Sequence, residues 1–282
     1  MSTRTIFITG AAAGIGRAIA ARFAAGGWIV GLYDIDHEAV TTTAASLGPL
    51  ARTVTGSFDV TDPAGWQTAL AEFVSAAGKL DVLVNNAGIL VSGAFTEVAL
   101  AQQHRVIDVN VKGVINGCYC ALPYLRENPG SQIVNLASAS ALYGQPALAT
   151  YAASKAAVRS LTEALDLEWR GLGIAVHDVL PLFVSTAMMD EVGKGSKTAE
   201  TLGVRLIPTD VAEAVWRTVH RKRLLEDPHV LVGWQTTVLN AAMSAAPTWL
   251  NRLVAGRLSH ADEIGARHRG SLVDVSHPPT AQ

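Results

Sequence analysis

Tyr151 and Lys155 stand four residues apart in a segment with helical patterning, Thr150–Trp169, so their side chains share one helix face. That pairing suits proton transfer. A free phenol has a pKa near 10 and is a poor base at neutral pH; bringing it to about 7 takes roughly 3 units, or about 4 kcal/mol. A neighbouring lysine ammonium favours the phenolate and supplies part of that shift. A second chemical feature lies near the N-terminus: Thr9-Gly10-Ala11-Ala12-Ala13-Gly14-Ile15-Gly16, between a strand pattern and a helical one. Glycine removes the Cβ, so the backbone turns tightly and approaches a pyrophosphate closely. The helix that follows offers free N–H groups and a partial positive charge to that anion.

Asp34 ends the second strand pattern, 18 residues beyond Gly16. This is close to the distance at which an acidic side chain accepts hydrogen bonds from an adenosine ribose. A carboxylate there repels a 2′-phosphate, so NAD is favoured over NADP. Ala13 and Ile35 offer no basic group to offset it. Arg17 is the basic residue close by that keeps NADP open.

The elements that must hold these groups alternate along the chain. Thr5–Thr9, Ile29–Tyr33, Thr53–Ser57, Val82–Asn85, Ile133–Leu136 and Ala175–Leu180 read as strands. Several are apolar throughout, as strands buried on both faces should be. Between them lie the helical patterns Ile15–Ala25, His37–Leu47, Ala64–Ala77, Ala99–Leu125 and Thr150–Trp169. The alternation predicts an α/β fold: a Rossmann-like, doubly wound parallel sheet with helices on both faces. Such sheets bind ligands at the carboxyl ends of their strands. Beyond them, Thr209–Arg223 reads as a helix capped by Thr209 or Asp210 after Pro208, and Val230–Val232 as a last strand. Residues 1–233 are expected to form the dinucleotide-binding domain, with a substrate loop at 187–207 that is either a lid or an ordinary surface loop. Residues 234–282 are expected to form an amphipathic extension, interrupted at Pro247, and a flexible tail.

Composition removes several function classes. The chain has 282 residues, 49% of them hydrophobic and 16% charged, enough to build a large core. A net charge of −2 points to no nucleic-acid partner, and Arg221-Lys222-Arg223 reads as a solvated helix end. The two cysteines, Cys118 and Cys120, face different sides of a helix and read as reduced, buried thiols. The eight histidines show no metal-ligand spacing, so no metal is expected. Without a signal region or an apolar run of about 18–20 residues, the chain reads as cytoplasmic, with no membrane span.

Taken in order, these motifs resemble the short-chain dehydrogenase/reductase family in its main single-domain branch. The resemblance covers about residues 4–232. It rests on Thr9–Gly16, Asp59-Val60, Asn85-Asn86-Ala87-Gly88, Asn110, Ser138 and Tyr151-x-x-x-Lys155. It implies Tyr151 as the general acid/base, with Lys155 and the positive nicotinamide ring favouring its phenolate, and Lys155 also holding the nicotinamide ribose. Ser138, 13 residues before Tyr151, is implied to hydrogen-bond the substrate oxygen, with Ser140 a nearby competitor. Asn110 is implied to hold a water that relays protons from Lys155. Gly10, Ala13, Gly14, Ile15 and Gly16 are implied to cradle the pyrophosphate. Asp59 and Val60 are expected near the adenine, and Asn86, Ala87 and Gly88 along the adenosine side.

The chain departs from the family after the sixth strand, where the usual Pro-Gly is Pro181-Leu182. The spacing to Val184 and Thr186 is kept, so Pro181, Val184 and Thr186 are still expected at the nicotinamide, with Thr186 reaching its carboxamide. Leu182 either narrows the pocket there or points away. Candidates for the substrate wall are Ser140, Leu142, Gln145, Leu182, Phe183, Met188 and Met189. They are mostly apolar, which suits an uncharged, hydrophobic secondary alcohol or ketone.

The stripe Trp234, Leu239, Met243, Trp249, Leu250 and Leu253 must be buried against its own domain, the pocket or another subunit; attachment to a membrane surface is a further option. The resemblance implies a homotetramer or homodimer. An NADPH-dependent carbonyl or ketoacyl reductase is the enzyme alternative. A non-catalytic dinucleotide sensor is the alternative of another class, and it would have no need of Ser138, Tyr151 and Lys155.

Overall fold

Strands that are apolar along their whole length need cover on both faces, and the chain supplies it with helices. A computed structural model describes residues 3–186, 206–221, 227–247, 249–251 and 256. The strands are β1 (Thr5–Thr9), β2 (Ile29–Asp34), β3 (Arg52–Ser57), β4 (Val82–Asn85), β5 (Gln132–Leu136), β6 (Ala175–Pro181) and β7 (His229–Val232). They form one parallel sheet in the order β3-β2-β1-β4-β5-β6-β7. Every residue of β1, β4, β5 and β6 is buried.

The helices are α1 (Gly14–Ala25), α2 (His37–Ser46), α3 (Pro63–Ala77), α4 (Leu100–Ile107), α5 (Gly113–Arg126), α6 (Ala149–Trp169), α7 (Pro208–His220) and α8 (Trp234–Ala245). Side chains alternate across the strands, so one face of the sheet packs Ile6, Ile8, Val84 and Val134 against Ile19, Phe23, Val211 and Val215 of α1 and α7. The other face packs Phe7, Leu83, Ile133 and Val176 against Trp66, Phe73, Leu125 and Val158 of α3, α5 and α6. The chain winds outward in both directions from the β1–β4 pair. The loops after those two strands therefore part, and a crevice opens between them.

Local chemistry sets the helix starts. Asp36 caps α2, accepting from Ala39 N at 3.0 Å. Asp62 caps α3, accepting from Ala64 N at 3.0 Å and Gly65 N at 3.1 Å. The start of α7 differs from the sequence expectation. Pro208 is already helical, because proline at the first position gives up an N–H that has no partner there anyway. Asp210 sits three residues inside the cap and accepts from Ile207 N at 2.9 Å. The segment expected as one helix, Ala99–Leu125, is instead α4, a π-turn at Asp108–Lys112, and α5.

In the extension, α8 packs beside β7 and the 139–142 turn, and the helix stops before Pro247. Of the apolar stripe, Trp234 and Trp249 each stand 67% exposed, whereas Leu239, Met243 and Leu250 are half-buried. Cys118 and Cys120 are buried and unbridged. Among the described residues no helix is long and apolar enough to cross a membrane. Lys222, Arg223, Leu253 and nearly all of the 187–207 loop, with Met188 and Met189, lie outside the described residues.

Candidate active site

A cavity of about 380 Å³ runs along the carboxyl ends of the strands. Its walls bring together Thr9 of β1, Asp34 of β2, Asn86–Gly88 after β4, Leu136 of β5 and Pro181 of β6, together with Tyr151 and Lys155 of α6.

At one end the backbone does the shaping. Gly10 has φ +64°, and a Cβ there would lie 2.8 Å from Ala87 Cα. Asn86 ties the two loops of the crevice together: its Nδ2 donates to Thr9 O and Gly10 O, both at 2.9 Å. Thr9 Oγ1 accepts from Asn86 N and Ala87 N at 3.1 and 3.2 Å. A Cβ on Gly16 would overlap Gly10 O and come within 2.6 Å of Asn86 Nδ2, so only glycine lets α1 start this close to the β1 loop. The N-cap of α1 is Ala13, no side chain caps the helix, and its first turn carries no acid. The first-turn N–H groups thus have no side-chain acceptor, and they begin among cavity residues Ala13, Gly14 and Ile15. Asp34 lines the same stretch, held by Ala12 N at 3.1 Å and Asp36 N at 3.3 Å.

At the other end α6 presents Tyr151 and Lys155 to the cavity, and its start is pinned. Thr150 Oγ1 donates to Gln103 Oε1 at 2.6 Å, and Gln103 Nε2 donates to Phe95 O and Val98 O. Further along, Asn85 Nδ2 donates to Asn135 Oδ1 at 2.9 Å and Asn135 Nδ2 to Thr162 Oγ1 at 3.0 Å, a buried line of amides from β4 through β5 to α6. Lys155 Nζ donates to Leu136 O at 2.7 Å. Ser138 hydrogen-bonds the Tyr151 phenol and accepts from Ser140 N at 3.2 Å.

Asn110 lies in the π-turn, fully buried, and does not reach the cavity wall. Its amide pairs with both backbone groups of Ile89, at 2.8 and 2.9 Å, and donates to Ser154 Oγ at 3.1 Å. A Cβ on Gly88 would sit 3.2 Å from Asn110 Oδ1 and 3.6 Å from Lys155 Nζ, so the bare glycine lets both groups approach the β4 loop.

Burial dominates the electrostatics. It pushes the Tyr151 phenol up to about 12, against an opposing hydrogen bond from Ser138. It pulls the Lys155 ammonium down to about 8. Without a ligand Tyr151 is thus a neutral phenol at pH 7, a proton donor in waiting. Lys155 keeps most of its charge at pH 7 and has lost about half of it near pH 8.

Of the remaining residues singled out from the sequence, Asp59, Val60, Ala87, Ser138, Leu182, Val184 and Thr186 line the cavity, and Gly16 supports it from behind. Ser140, Leu142, Gln145 and Phe183 lie off the cavity wall. Ser140, in the 139–142 turn that Ser138 caps, and Gln145, three residues beyond that turn, are buried. Arg17 is exposed and off the wall, whereas Arg105 of α4 lines the cavity and pairs with Asp59 at 2.8 Å. Nothing in the spacing of Arg105 sets it apart from an ordinary solvated helix face; its partner lies 46 residues away.

The sequence pattern of the family described as "short chain dehydrogenase" matches residues 4–197. A meso-2,3-butanediol dehydrogenase of Serratia marcescens is 40% identical over 185 residues, 66% of this chain and 73% of the relative. A 3-alpha-(or 20-beta)-hydroxysteroid dehydrogenase of Mycobacterium bovis is 38% identical over 189 residues, 67% of this chain and 72% of the relative. Among solved structures, a 3-ketoacyl-(acyl-carrier-protein) reductase of Brucella melitensis complexed with NADH superposes with a TM-score of 0.75 at 30% identity. That match covers 82% of this chain and 96% of the other.

Proposed function

Because this chain belongs to the short-chain dehydrogenase family, we propose that it is an NAD(H)-dependent oxidoreductase acting on an uncharged, hydrophobic secondary alcohol or ketone. The observation that carries this reading is the meeting of Tyr151, Lys155 and Ser138 in one cavity with the uncapped start of α1. The residues present fit a dinucleotide: glycines that hold the β1 loop open, first-turn N–H groups for a pyrophosphate, and the Asp34 carboxylate for a ribose. The alignable relatives are named as dehydrogenases and reductases, and the Brucella reductase carries NADH, which supports the same cofactor class here.

When bound, the cofactor supplies the hydride acceptor or donor and, in its oxidised form, a positive charge at the ring. Ser138 Oγ bonds the substrate oxygen and orients it toward Tyr151 Oη. Tyr151 takes the hydroxyl proton in oxidation and returns it in reduction. Lys155 holds the ribose with ammonium protons not spent on Leu136 O, and its charge favours the phenolate. Asn110 braces the Ile89 backbone behind this group, and the family resemblance would give it the water of a proton relay from Lys155.

Asp34 supports NAD over NADP. It lies on the cavity wall as a carboxylate, and the cavity's other basic residue, Arg105, is already matched by Asp59. Replacing Asp34 with Ala is expected to cut kcat/KM with NAD⁺ roughly tenfold to a hundredfold, the worth of hydrogen bonds to a charged group, and to spare NADP⁺. Absorbance of reduced cofactor, followed with NAD⁺ and NADP⁺ over a panel of alcohols, tests both this and the reaction itself. Turnover of polyols or hydroxy acids alone would overturn the hydrophobic substrate. No turnover with either cofactor would turn the reading to a dinucleotide sensor.

Leu182 lines the same cavity as the apolar residues Ile89, Leu90 and Val184. Leu182→Gly is expected to raise kcat/KM for bulky secondary alcohols relative to small ones by roughly tenfold or more, since each methylene in such a pocket is worth that order. An unchanged ratio across a chain-length series would take Leu182 off the substrate.

A further inference from the structure

Arg105 is a charged cavity residue that neither the glycine loop nor the Tyr151–Lys155 pair explains. It rises from α4 and is held from two sides: NH2 donates to Asp59 Oδ2 at 2.8 Å and NH1 to Thr61 Oγ1 at 3.4 Å. Asp59 is fixed in turn, its Oδ1 accepting from Thr61 N at 2.9 Å and from Thr61 Oγ1 at 2.8 Å. The Arg105 side chain remains 45% exposed, so one part of it is pinned while another part borders the cavity. It shares that stretch of wall with Val60 and with Val109, one helical turn on.

The charge balance restricts what can pack there. A free guanidinium would call for a phosphate. Here Asp59 neutralises it, and hydrogen bonds from Thr61 and Arg105 hold that carboxylate below its usual range, so it stays ionised. Asp34, on the same cavity wall, adds a second negative charge against a phosphate. What remains is a flat, weakly hydrated plane with its charge already matched, and such a plane packs well against the face of a π ring. We propose that Arg105 is a positioning residue for the adenine of the cofactor, its guanidinium locked by Asp59 and Thr61 into a wall for the purine. This rests on the reading of the cavity as a dinucleotide site.

The test is calorimetric binding of ADP-ribose, which carries the adenine half without the nicotinamide, and of 2′-phospho-ADP-ribose. Arg105→Met keeps the stem and loses the plane; Arg105→Lys keeps the charge and the reach to Asp59 but loses the plane. Both variants are expected to bind ADP-ribose about fivefold to tenfold more weakly than wild type. Both should show a raised KM for NAD⁺ at unchanged kcat, with thermal unfolding reporting an intact fold. Wild-type affinity for ADP-ribose in either variant, or a loss confined to the 2′-phosphorylated ligand, overturns the proposal and leaves the dinucleotide reading standing. Failure of the wild-type protein to bind ADP-ribose or NAD⁺ at all removes the dinucleotide reading, and this proposal with it.

Discussion

Replacing Tyr151 with Phe is expected to lower kcat in both directions by about 10²- to 10⁴-fold, the usual worth of a positioned acid/base, while the dissociation constant for reduced cofactor stays within about twofold. The ring that lines the cavity is kept, so the loss isolates the hydroxyl. The pH profiles add a signed check. Reduction needs the phenol protonated and falls as pH rises; oxidation needs it deprotonated and rises. Burial, only partly opposed by Ser138, sets the phenol near 12 with Lys155 already in place, so the positive charge of the oxidised ring must bring the oxidation limb down toward neutrality. The residual rate of the Phe variant should lose both limbs. Undiminished turnover with the limbs intact would move the acid/base role to another group.

Lys155→Met is expected to act in opposite directions on activity and stability. Loss of the ammonium removes charge stabilisation and ribose contacts, and turnover should fall at least about a hundredfold. Stability should rise. The folded-state value near 8 lies below the ordinary 10.5, so between those pH values the unfolded chain binds more protons. The penalty for burying the charged lysine is therefore fully present below pH 8 and relieved as pH climbs to 10.5. It amounts to about 3 kcal/mol, less about 1 kcal/mol for the donor that Leu136 O loses. In the cofactor-free protein the Met variant should melt several degrees higher at pH 7. The gap should close through pH 8 to 10.5. Lower melting at every pH, with no convergence, would mean that Lys155 is a net structural support.

Strands were the most legible part of the sequence. β1 and β4 run as the apolar patterns indicate, and the others differ by a residue at an end; β1, β4, β5 and β6 are buried on both faces, and such runs leave little doubt about where they start and stop. The candidate site's skeleton was legible for a related reason: Gly10, Asp34, Ser138, Tyr151 and Lys155 all sit at or just past strand ends or on α6, and they converge on one cavity. Three things were hidden. Side-chain direction in the turn after β5, which Ser138 caps and in which Ser140 is buried, is not written in residue spacing. Arg105 has a partner that no local pattern reveals, since Asp59 reaches it only after the sheet has brought β3 and α4 together. The helix break at Asp108–Lys112 was equally silent, because a single π-turn of five residues is too short to show a period of its own inside a long helical run.

That break makes the chain's length in this region matter more than its composition. An α-helix advances about 100° per residue, and a π-turn absorbs one residue without a matching advance. Remove one residue between 108 and 112, and α4 and α5 fuse into a regular helix whose two halves are out of phase by about that angle. Arg105 could then face Asp59, or Gly113 could pack on Val60, but not both. Asn110 would leave Ile89 in either case. Substitutions here are local events; a single-codon deletion would misalign both sides of the cavity together.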